Sequence, residues 1–351
     1  MNLRYINSNI IRKRIFLFLV IIVLLIIFVY SVRNDAKNCF LNYTWTDGKT
    51  LQDVSKNIHL KTHSSSKNIF FHETSCSNDG IIKINSRQAC AIESAARMNP
   101  DYNIYLLFTS QVGYRNETPL PLVDTLLSYH NVHFNYLNIT RYAESTPLAD
   151  WIKNGDLFRS SYVTSHTSDV LRYLSLWKYG GTYMDLDIVM LDKLSKQKPN
   201  YAGAESNKFV AVGIINFEGE SGHEIADMCL RDLLKNFNGE DWGNNGPGVL
   251  TRVLQKICGT KDVMKMMIDG VCKNFNVLPI EKCYSIRWPE HRKFFEEAFL
   301  NETLERLSDS LIAHVWNKHS AATVLTKESN VAYIHLAKKY CPKTLSASEF
   351  F

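Results

Sequence analysis

The sequence has no internal repeat, no low-complexity block and no large excess of charge of either sign. Its 351 residues include 40 Lys and Arg against 35 Asp and Glu, which gives a formal net charge of +5. A nucleic-acid-binding domain usually carries a concentrated basic patch, and this charge balance provides none. The cysteines also lack the spacing of a structural zinc site. These absences argue against a repeat architecture, a zinc module and a nucleic-acid partner.

Apolar and aromatic side chains are abundant enough for a large core. Apolar residues make up 45% of the sequence and aromatic residues 12%, as in a globular chain rather than a disordered one. The length allows one large domain or two small ones. Because no repeat divides the chain, a single globular domain is the simplest prediction.

One long apolar run lies near the N-terminus, at residues 15–32. It is near the short end of the roughly 17–25 residues that span a bilayer. Arg12, Lys13 and Arg14 precede it, and such a basic flank is typical of the cytosolic side. The pattern predicts a cytosolic tail (1–14), a transmembrane signal-anchor (15–32), a stem (33–66) and a lumenal domain (67–351). A cleaved signal peptide is the alternative, which the length of the run and the missing cleavage site disfavour.

Eight cysteines are consistent with an oxidising lumen. They are Cys39, Cys76, Cys90, Cys229, Cys258, Cys272, Cys283 and Cys341. The sequence does not fix their pairing, and each could instead be a buried free thiol. Glycosylation sequons that begin at Asn42, Asn116, Asn138 and Asn301 agree with lumenal exposure.

Short apolar runs alternate with helical patterns after residue 67. Strands are predicted at 68–71, 104–108, 132–137 and 209–217, and helices at 87–98, 120–129, 223–237 and 249–257. This alternation predicts an α/β fold with a parallel or mixed sheet that helices cover on both faces.

The most informative stretch is residues 167–191, which reads as helix, turn and strand. Ser168 is a good N-cap for the helix, with Asp169 in its first turn, and Gly180 and Gly181 end it. The composition of residues 182–191 is that of a strand, which places Asp185 and Asp187 on one face. Two acids on an otherwise buried strand are costly unless a cation meets them. A divalent ion that carries phosphate oxygens would be such a cation, and a solvated strand end is the alternative.

Six motifs lie between residues 68 and about 345, in the order IFFHETS, CAIESAARMNP, SDVLRYLSLWKYGGTYMDLD, WGNNGPGVLTRV, HVWNKHS and AKKYCP. In sequence and in order they resemble the alpha-1,4-glycosyltransferases, a family of galactosyl-, N-acetylglucosaminyl- and N-acetylgalactosaminyltransferases. The resemblance implies a GT-A-type, Rossmann-like mixed sheet and retention of anomeric configuration. It also implies a single-pass type II protein of the Golgi membrane, a UDP-sugar donor and Mn²⁺ or Mg²⁺.

The resemblance carries roles onto particular residues. Asp185 and Asp187 match the catalytic metal-binding pair; Ser168, Asp169 and Arg172 match a helix beside the nucleotide; and Glu73, Thr74 and Ser75 match the strand end where uridine is expected. Ser168 and Asp169 could instead be purely structural. Arg172 could equally form an exposed ion pair with Asp169, of little energetic consequence.

Two further regions supply candidate ligands. His314 or His319 could complete the metal shell, and His314 is favoured because it lies in a strand-like run with Trp316. In the loop 242–248, Asn245 and Gly246 are candidate donor contacts because they precede a helix N-terminus. The alternatives are a core histidine and an ordinary helix-entry turn.

The sequence thus predicts a metal-dependent retaining transferase. It would move galactose or N-acetylgalactosamine from UDP to the 4-hydroxyl of a terminal β-linked sugar on a glycosphingolipid. One alternative is an alpha-1,4-N-acetylglucosaminyltransferase that acts on mucin-type glycans. Another is a non-catalytic, membrane-anchored sugar-binding or chaperone relative. The donor, the acceptor, the disulfide pairing and the oligomeric state, a homo-oligomer included, remain open.

Overall fold

A computed structural model describes residues 10–25, 49–56, 60, 67–77, 79–114 and 119–351. The strands are β1 (Lys49–Thr50), β2 (Asn68–Glu73), β3 (Asn103–Phe108), β4 (Gly113–Tyr114), β5 (Val132–Tyr136), β6 (Gly181–Met184), β7 (Ile188–Met190), β8 (Tyr201–Ala204), β9 (Val210–Phe217), β10 (Asn276–Leu278) and β11 (Ile312–His314). The α-helices are α1 (10–25), α2 (Ser86–Met98), α3 (Pro121–Leu127), α4 (Ile139–Tyr142), α5 (Ala149–Lys153), α6 (Val163–Tyr179), α7 (Gly219–Asn236), α8 (Pro247–Cys258), α9 (Val263–Met266), α10 (Ile280–Cys283), α11 (Leu300–Arg306), α12 (Asn317–Ser320), α13 (Ala332–Tyr340) and α14 (Pro342–Ala347). Short 3-10 helices occupy Val54–Lys56, Leu157–Arg159, Leu194–Lys196, Trp288–Phe294 and Glu297–Phe299.

Seven strands form the central sheet in the order β10-β8-β9-β6-β2-β3-β5. Strands β6, β2, β3 and β5 are parallel neighbours, whereas β9 runs antiparallel to both β6 and β8. The parallel pairs need crossover connections, which α2 and α3 supply along the chain. The predicted mixed sheet is therefore confirmed.

Successive side chains of β2 alternate between two cores. Phe70 packs on one face with Val170 and Leu174 of α6. Ile69 and Phe71 pack on the other face, in the cluster that contains α2 and α3. Period-two alternation on a sheet covered on both sides gives this arrangement. The predicted helices on both faces are thus confirmed.

The long strand predicted at 182–191 is wrong. Residues 185–187 form a turn, in which the Ile188 amide donates to the Asp185 carbonyl at 3.2 Å. Before the turn, β6 belongs to the central sheet; after it, β7 pairs antiparallel with β11 in a separate two-stranded sheet. The two acids therefore lie where the chain leaves one sheet for another.

Helix α1 contains largely exposed side chains. Among the described residues, no helix combines the length and apolar character needed to cross a membrane. Several predicted segments lie partly outside the described residues: 1–9 of the tail, 26–32 of the anchor, and 33–48, 57–59 and 61–66 of the stem. Cys39, Asn42 and Asn116 also lie outside them.

Two disulfides are formed within the described chain. Cys90 of α2 is bonded to Cys341, which precedes α14, and Cys258 is bonded to Cys272. Cys76 is also disulfide-bonded, whereas Cys229 and Cys283 are buried free thiols. The sequence left both outcomes open, and both occur.

Removing the Cys90–Cys341 bond by a double change to alanine is expected to destabilise the fold by roughly 2–4 kcal/mol. The bond closes a separation of 251 residues and fastens the C-terminal helices to α2. Chemical denaturation of the full chain would measure the loss. The control is the same double change to alanine at Cys258 and Cys272, whose bond closes a separation of only 14 residues and is expected to contribute less. Equal stability of the oxidised wild type and the double variant would contradict the prediction.

Candidate functional site

A cavity of about 470 Å³ opens at the carboxyl ends of the sheet strands. Thr74 follows β2, Asp185 follows β6 and Glu205 follows β8, and all three line it. These three strands point the same way, because β8 and β6 are each antiparallel to β9. Ligand sites of open α/β sheets commonly occupy this edge.

Asp185 is fixed from several sides. Its amide donates to the Gly213 carbonyl at 2.8 Å, and its Oδ1 accepts from the Tyr183 hydroxyl at 2.6 Å. Arg172 Nη1 lies 3.3 Å from the same oxygen. Loss of solvation would raise the pKa of Asp185, but Arg172 and His314 together lower it to about 2. The Asp185 carboxylate is therefore ionised, with Oδ2 directed toward His314.

The pairing of β7 with β11 brings His314 to the acids, because its register places Ile188 opposite His314. His314 Nε2 lies 3.3 Å from Asp187 Oδ1 and 3.9 Å from Asp185 Oδ2. The Trp316 amide nitrogen lies 3.2 Å from His314 Nδ1, and Nε2 faces the carboxylates. Burial opposes a charged imidazole, but the carboxylates of Asp187 and Asp185 outweigh it and raise the pKa of His314.

These three side chains suit a divalent cation. One ligand atom from each of Asp185, Asp187 and His314 lies within 4.8 Å of the others. A Cβ atom at Gly213 would stand 3.2 Å from Asp185 Oδ2 and 3.2 Å from the His314 ring, so a side chain there would crowd the cluster. Carboxylate oxygens with one imidazole form a donor set that a transition-type divalent ion accepts. The geometry groups His314 with the acids, whereas the ring of His319 stacks on Trp288 at 5.2 Å.

Ser168, Asp169 and Arg172 line the cavity on α6, but Ser168 as the N-cap and Asp169 in the first turn are both wrong. Helix α6 begins at Val163, so Ser168 is not its N-cap. The first turn is held by tertiary contacts instead: His166 is fully buried, with Nδ1 2.6 Å from the Ser160 hydroxyl. The helix ends at Gly180 with φ +65°, as predicted.

Arg172 and Asp169 do form an ion pair, at 3.0 Å, but it is not exposed. Their side chains retain only 6% and 8% of their accessible surface. Arg172 also donates to the Val212 carbonyl at 2.7 Å and lies 4.6 Å above the Tyr183 ring. Burial raises the pKa of Asp169 to about 6 despite the nearby guanidinium. The buried ion pair of Arg172 and Asp169 therefore connects α6 to β9 and to Asp185, and we call it the α6 brace.

The three residues at the end of β2, Glu73, Thr74 and Ser75, line two different cavities. Thr74 faces the cavity, where its hydroxyl donates to the Thr164 carbonyl at 3.0 Å. Glu73 and Ser75 line a separate groove, and Glu73 accepts hydrogen bonds from Gln88 and from the Ser75 amide. The structure therefore brings only Thr74 of this trio to the acids.

Asn245 and Gly246 hold the loop rather than line the cavity. Asn245 is fully buried, and its amide donates to the Asn238 carbonyl at 2.7 Å and contacts His166 Nε2 at 3.1 Å. The Gly246 carbonyl accepts from the Tyr173 hydroxyl at 2.8 Å. A Cβ at Gly246 would lie 2.4 Å from an Asp169 oxygen, so only glycine allows this close packing. Trp242, by contrast, is 43% exposed at the cavity wall.

Glu205, Tyr284 and Trp288 also line the cavity, and the sequence interpretation missed all three. They lie in no motif with a fixed spacing to the acids. Glu205 directly follows β8, as Asp185 directly follows β6. An acidic residue at a strand end was therefore the sequence signal that could have identified Glu205.

Conserved regions of known proteins match most of the globular chain. A glycosyltransferase sugar-binding region containing the DXD motif matches residues 85–207, which include Asp185 and Asp187. The alpha 1,4-glycosyltransferase conserved region matches residues 218–348, which include His314.

Individual relatives agree with these regions. Lactosylceramide 4-alpha-galactosyltransferase of Homo sapiens is 33% identical over 285 residues, which cover 81% of this chain and 78% of the relative. Alpha-1,4-N-acetylglucosaminyltransferase of Homo sapiens is 27% identical over 263 residues, covering 73% of this chain and 74% of the relative. The solved galactosyltransferase LgtC, with donor and acceptor sugar analogs, is 12% identical over 80% of this chain and 95% of its own, with a TM-score of 0.36. The sequence matches are sufficient: the chain is a glycosyltransferase and belongs to the alpha-1,4-glycosyltransferase family.

Proposed function

We propose that the chain is a retaining, metal-dependent transferase of the GT-A type. It moves galactose or N-acetylgalactosamine from a UDP-sugar, in alpha-1,4 linkage, to a terminal β-linked sugar of a glycosphingolipid. The observation that carries the proposal is the convergence of Asp185, Asp187 and His314 at one wall of the cavity. The names of the galactosyltransferase relatives support the transferred sugar and the lipid-linked acceptor.

Asp185, Asp187 and His314 would hold Mn²⁺ or Mg²⁺, and such an ion supplies positive charge to a departing diphosphate. Arg172 keeps the Asp185 carboxylate ionised and in place. Lys318 and His319 add donors along the same cavity. Together these side chains place positive and donor groups where negative charge would develop.

The proposed transfer proceeds on one face of the sugar. The bond from C1 to the phosphate oxygen breaks, and the bond from C1 to the acceptor O4 forms on the same side. The acceptor proton passes to the departing phosphate oxygen, so the transfer requires no protein nucleophile. We assign the cavity side near Thr74 to the uridine, and the chain's own residues act by binding, orientation and charge.

The experiment is a transfer assay with the purified full chain and Mn²⁺. UDP-galactose, UDP-N-acetylgalactosamine and UDP-N-acetylglucosamine are offered with lactosylceramide and with a mucin-type glycan. We expect an alpha-1,4-linked product on the glycolipid from one of the first two donors. Transfer of N-acetylglucosamine to the mucin-type glycan would instead favour the alternative function, an alpha-1,4-N-acetylglucosaminyltransferase. No transfer from any donor, or a β-linked product, would overturn the proposal.

We also propose that residues 15–32 anchor the chain in the Golgi membrane, with a stem over 33–66 and the domain 67–351 in the lumen. The apolar run, its basic N-terminal flank and the disulfides Cys90–Cys341 and Cys258–Cys272 support this placement. Protease protection of the domain in sealed microsomes would test it, and cleavage without detergent would contradict it.

A further inference from the structure

Two polar side chains in the cavity have no role in the cation cluster or the α6 brace. Tyr284 follows α10, and Glu205 follows β8. They lie far apart in the sequence, but the fold brings both to the same cavity. The other two polar groups of this wall, the Asp185, Asp187 and His314 cluster and the Arg172–Asp169 pair, consist of side chains that contact one another.

The Tyr284 side chain is 1% exposed, yet no described group accepts the hydrogen of its hydroxyl. A Cβ at Gly213 would stand 3.0 Å from this hydroxyl and 3.2 Å from Asp185 Oδ2. The Tyr284 hydroxyl and Asp185 Oδ2 therefore both face the space above Gly213. Leaving such a buried group unpaired is costly, and a ligand that accepts its hydrogen would relieve the cost.

Glu205 lines the cavity at the end of β8. The loop that follows it is closed by hydrogen bonds from the Glu205 amide and the Ser206 amide to the Phe209 carbonyl, at 3.0 and 3.3 Å. Within the described part of the chain, no hydrogen bond or ion pair engages the Glu205 carboxylate. Burial raises the pKa of Glu205, and the charges of His314 and Arg287 offset only part of this rise. The carboxyl oxygens accept hydrogen bonds, so they suit a ligand whose hydroxyl groups donate them.

The order of the strands predicts where the base and the sugar of a bound UDP-sugar would lie. In the order β8-β9-β6-β2, Glu205 at the end of β8 and Thr74 at the end of β2 lie on opposite sides of Asp185 at the end of β6. A nucleotide diphosphate sugar carries its diphosphate between base and sugar. With the cation at Asp185 and the base near Thr74, the sugar falls on the side of β8. A carboxylate there would repel a phosphate but accept hydrogen bonds from sugar hydroxyls.

We propose that Glu205 and Tyr284 bind hydroxyl groups of the transferred sugar and so determine which UDP-sugar is accepted. This inference rests on the proposed function, because it assumes a UDP-sugar held by the cation cluster. Glu205 accepts hydrogen bonds from the sugar, and Tyr284 donates one to it. The pair acts in ground-state recognition of the donor and requires no proton transfer.

The test is isothermal titration of the purified full chain with UDP and with each UDP-sugar, in the presence of Mn²⁺. Tyr284→Phe keeps the ring, and Glu205→Gln keeps the side-chain shape. We expect Tyr284→Phe to weaken binding of the preferred UDP-sugar about three- to tenfold and Glu205→Gln about tenfold, with binding of UDP unchanged. Tyr105→Phe is the matched control, since Tyr105 is also buried with an unpaired hydroxyl but lies on β3.

The outcomes are distinguishable. Selective loss of UDP-sugar affinity in both variants, with Tyr105→Phe unchanged, would support the inference. Equal effects on UDP and UDP-sugar, or no effect on either, would overturn it while leaving the proposed function intact. If the wild-type chain binds neither UDP nor any UDP-sugar, the proposed function falls, and this inference falls with it.

Discussion

Replacing Asp187 by asparagine is expected to lower the rate of sugar transfer by about a thousandfold while leaving the fold intact. A bound cation stabilises a transition state of this kind by several kcal/mol, and about 4 kcal/mol corresponds to a thousandfold in rate. Asparagine keeps the size of the side chain and can still accept the 2.8 Å hydrogen bond from the Asn317 amide. It removes the negative charge that would hold the cation. Asp185→Asn is expected to behave in the same way.

The matched control is Asp269→Asn. Asp269 is an exposed acid that pairs with Lys198 outside the cavity, so its loss should leave transfer unchanged. Transfer by the wild type should also stop in excess EDTA and return when Mn²⁺ is added. Circular dichroism would establish that each variant is folded. Full activity of Asp187→Asn, or of the wild type with EDTA present, would exclude the metal role.

The sheet with helices on both faces was predictable from the sequence, because strands and helices follow from the apolar pattern of neighbouring residues. The strands predicted at 68–71 and 104–108 contain continuous apolar runs, at 69–71 and 104–108, and the helix between them carries its own stop signal. The Gly180 helix end was equally predictable, since positive φ favours glycine. These features need information from only a few neighbouring residues.

The start of α6 and the break after β6 were not predictable in this way. The first turn of α6 depends on His166, which contacts Ser160 and the distant Asn245. The strand is broken because β7 pairs with β11, more than a hundred residues further on. Tertiary contacts therefore overrode a good local N-cap and a good local strand pattern.

The candidate site also contains residues that the local sequence identifies and residues that only tertiary structure reveals. Asp185 and Asp187 were identifiable because both lie within one local motif. Choosing His314 over His319 needs the register of β7 with β11, although the strand-like run around His314 pointed the right way. Tyr284 gave no sequence signal, because an unpaired buried hydroxyl is visible only in three dimensions.

Arg172→Met is expected to lower the free energy of unfolding by about 3–5 kcal/mol, the usual cost of removing one partner from a buried ion pair. The pair with Asp169 is almost fully buried, so no solvent compensates for the lost guanidinium. The change also leaves the Val212 carbonyl without its donor and removes the cation beside Asp185. Chemical denaturation of the variant and the wild type would measure the loss. Arg231→Met is the control. The Arg231 side chain is exposed in its pair with Asp227, so its loss should lower the free energy of unfolding by no more than about 1 kcal/mol.

Two further measurements separate this cause from a general packing defect. Adding Asp169→Asn to Arg172→Met should restore part of the lost stability, because it removes a buried charge that no longer has a partner. The single variant should also lose less stability at pH 5 than at pH 7. The pKa of Asp169 is already raised to about 6 by burial, and loss of Arg172 would raise it further. An acid whose pKa is higher in the folded state binds more protons there, so its stabilising contribution is present at low pH and is lost as pH rises through that pKa. A loss of stability that is the same at both pH values and unrelieved by Asp169→Asn would assign the effect to packing instead.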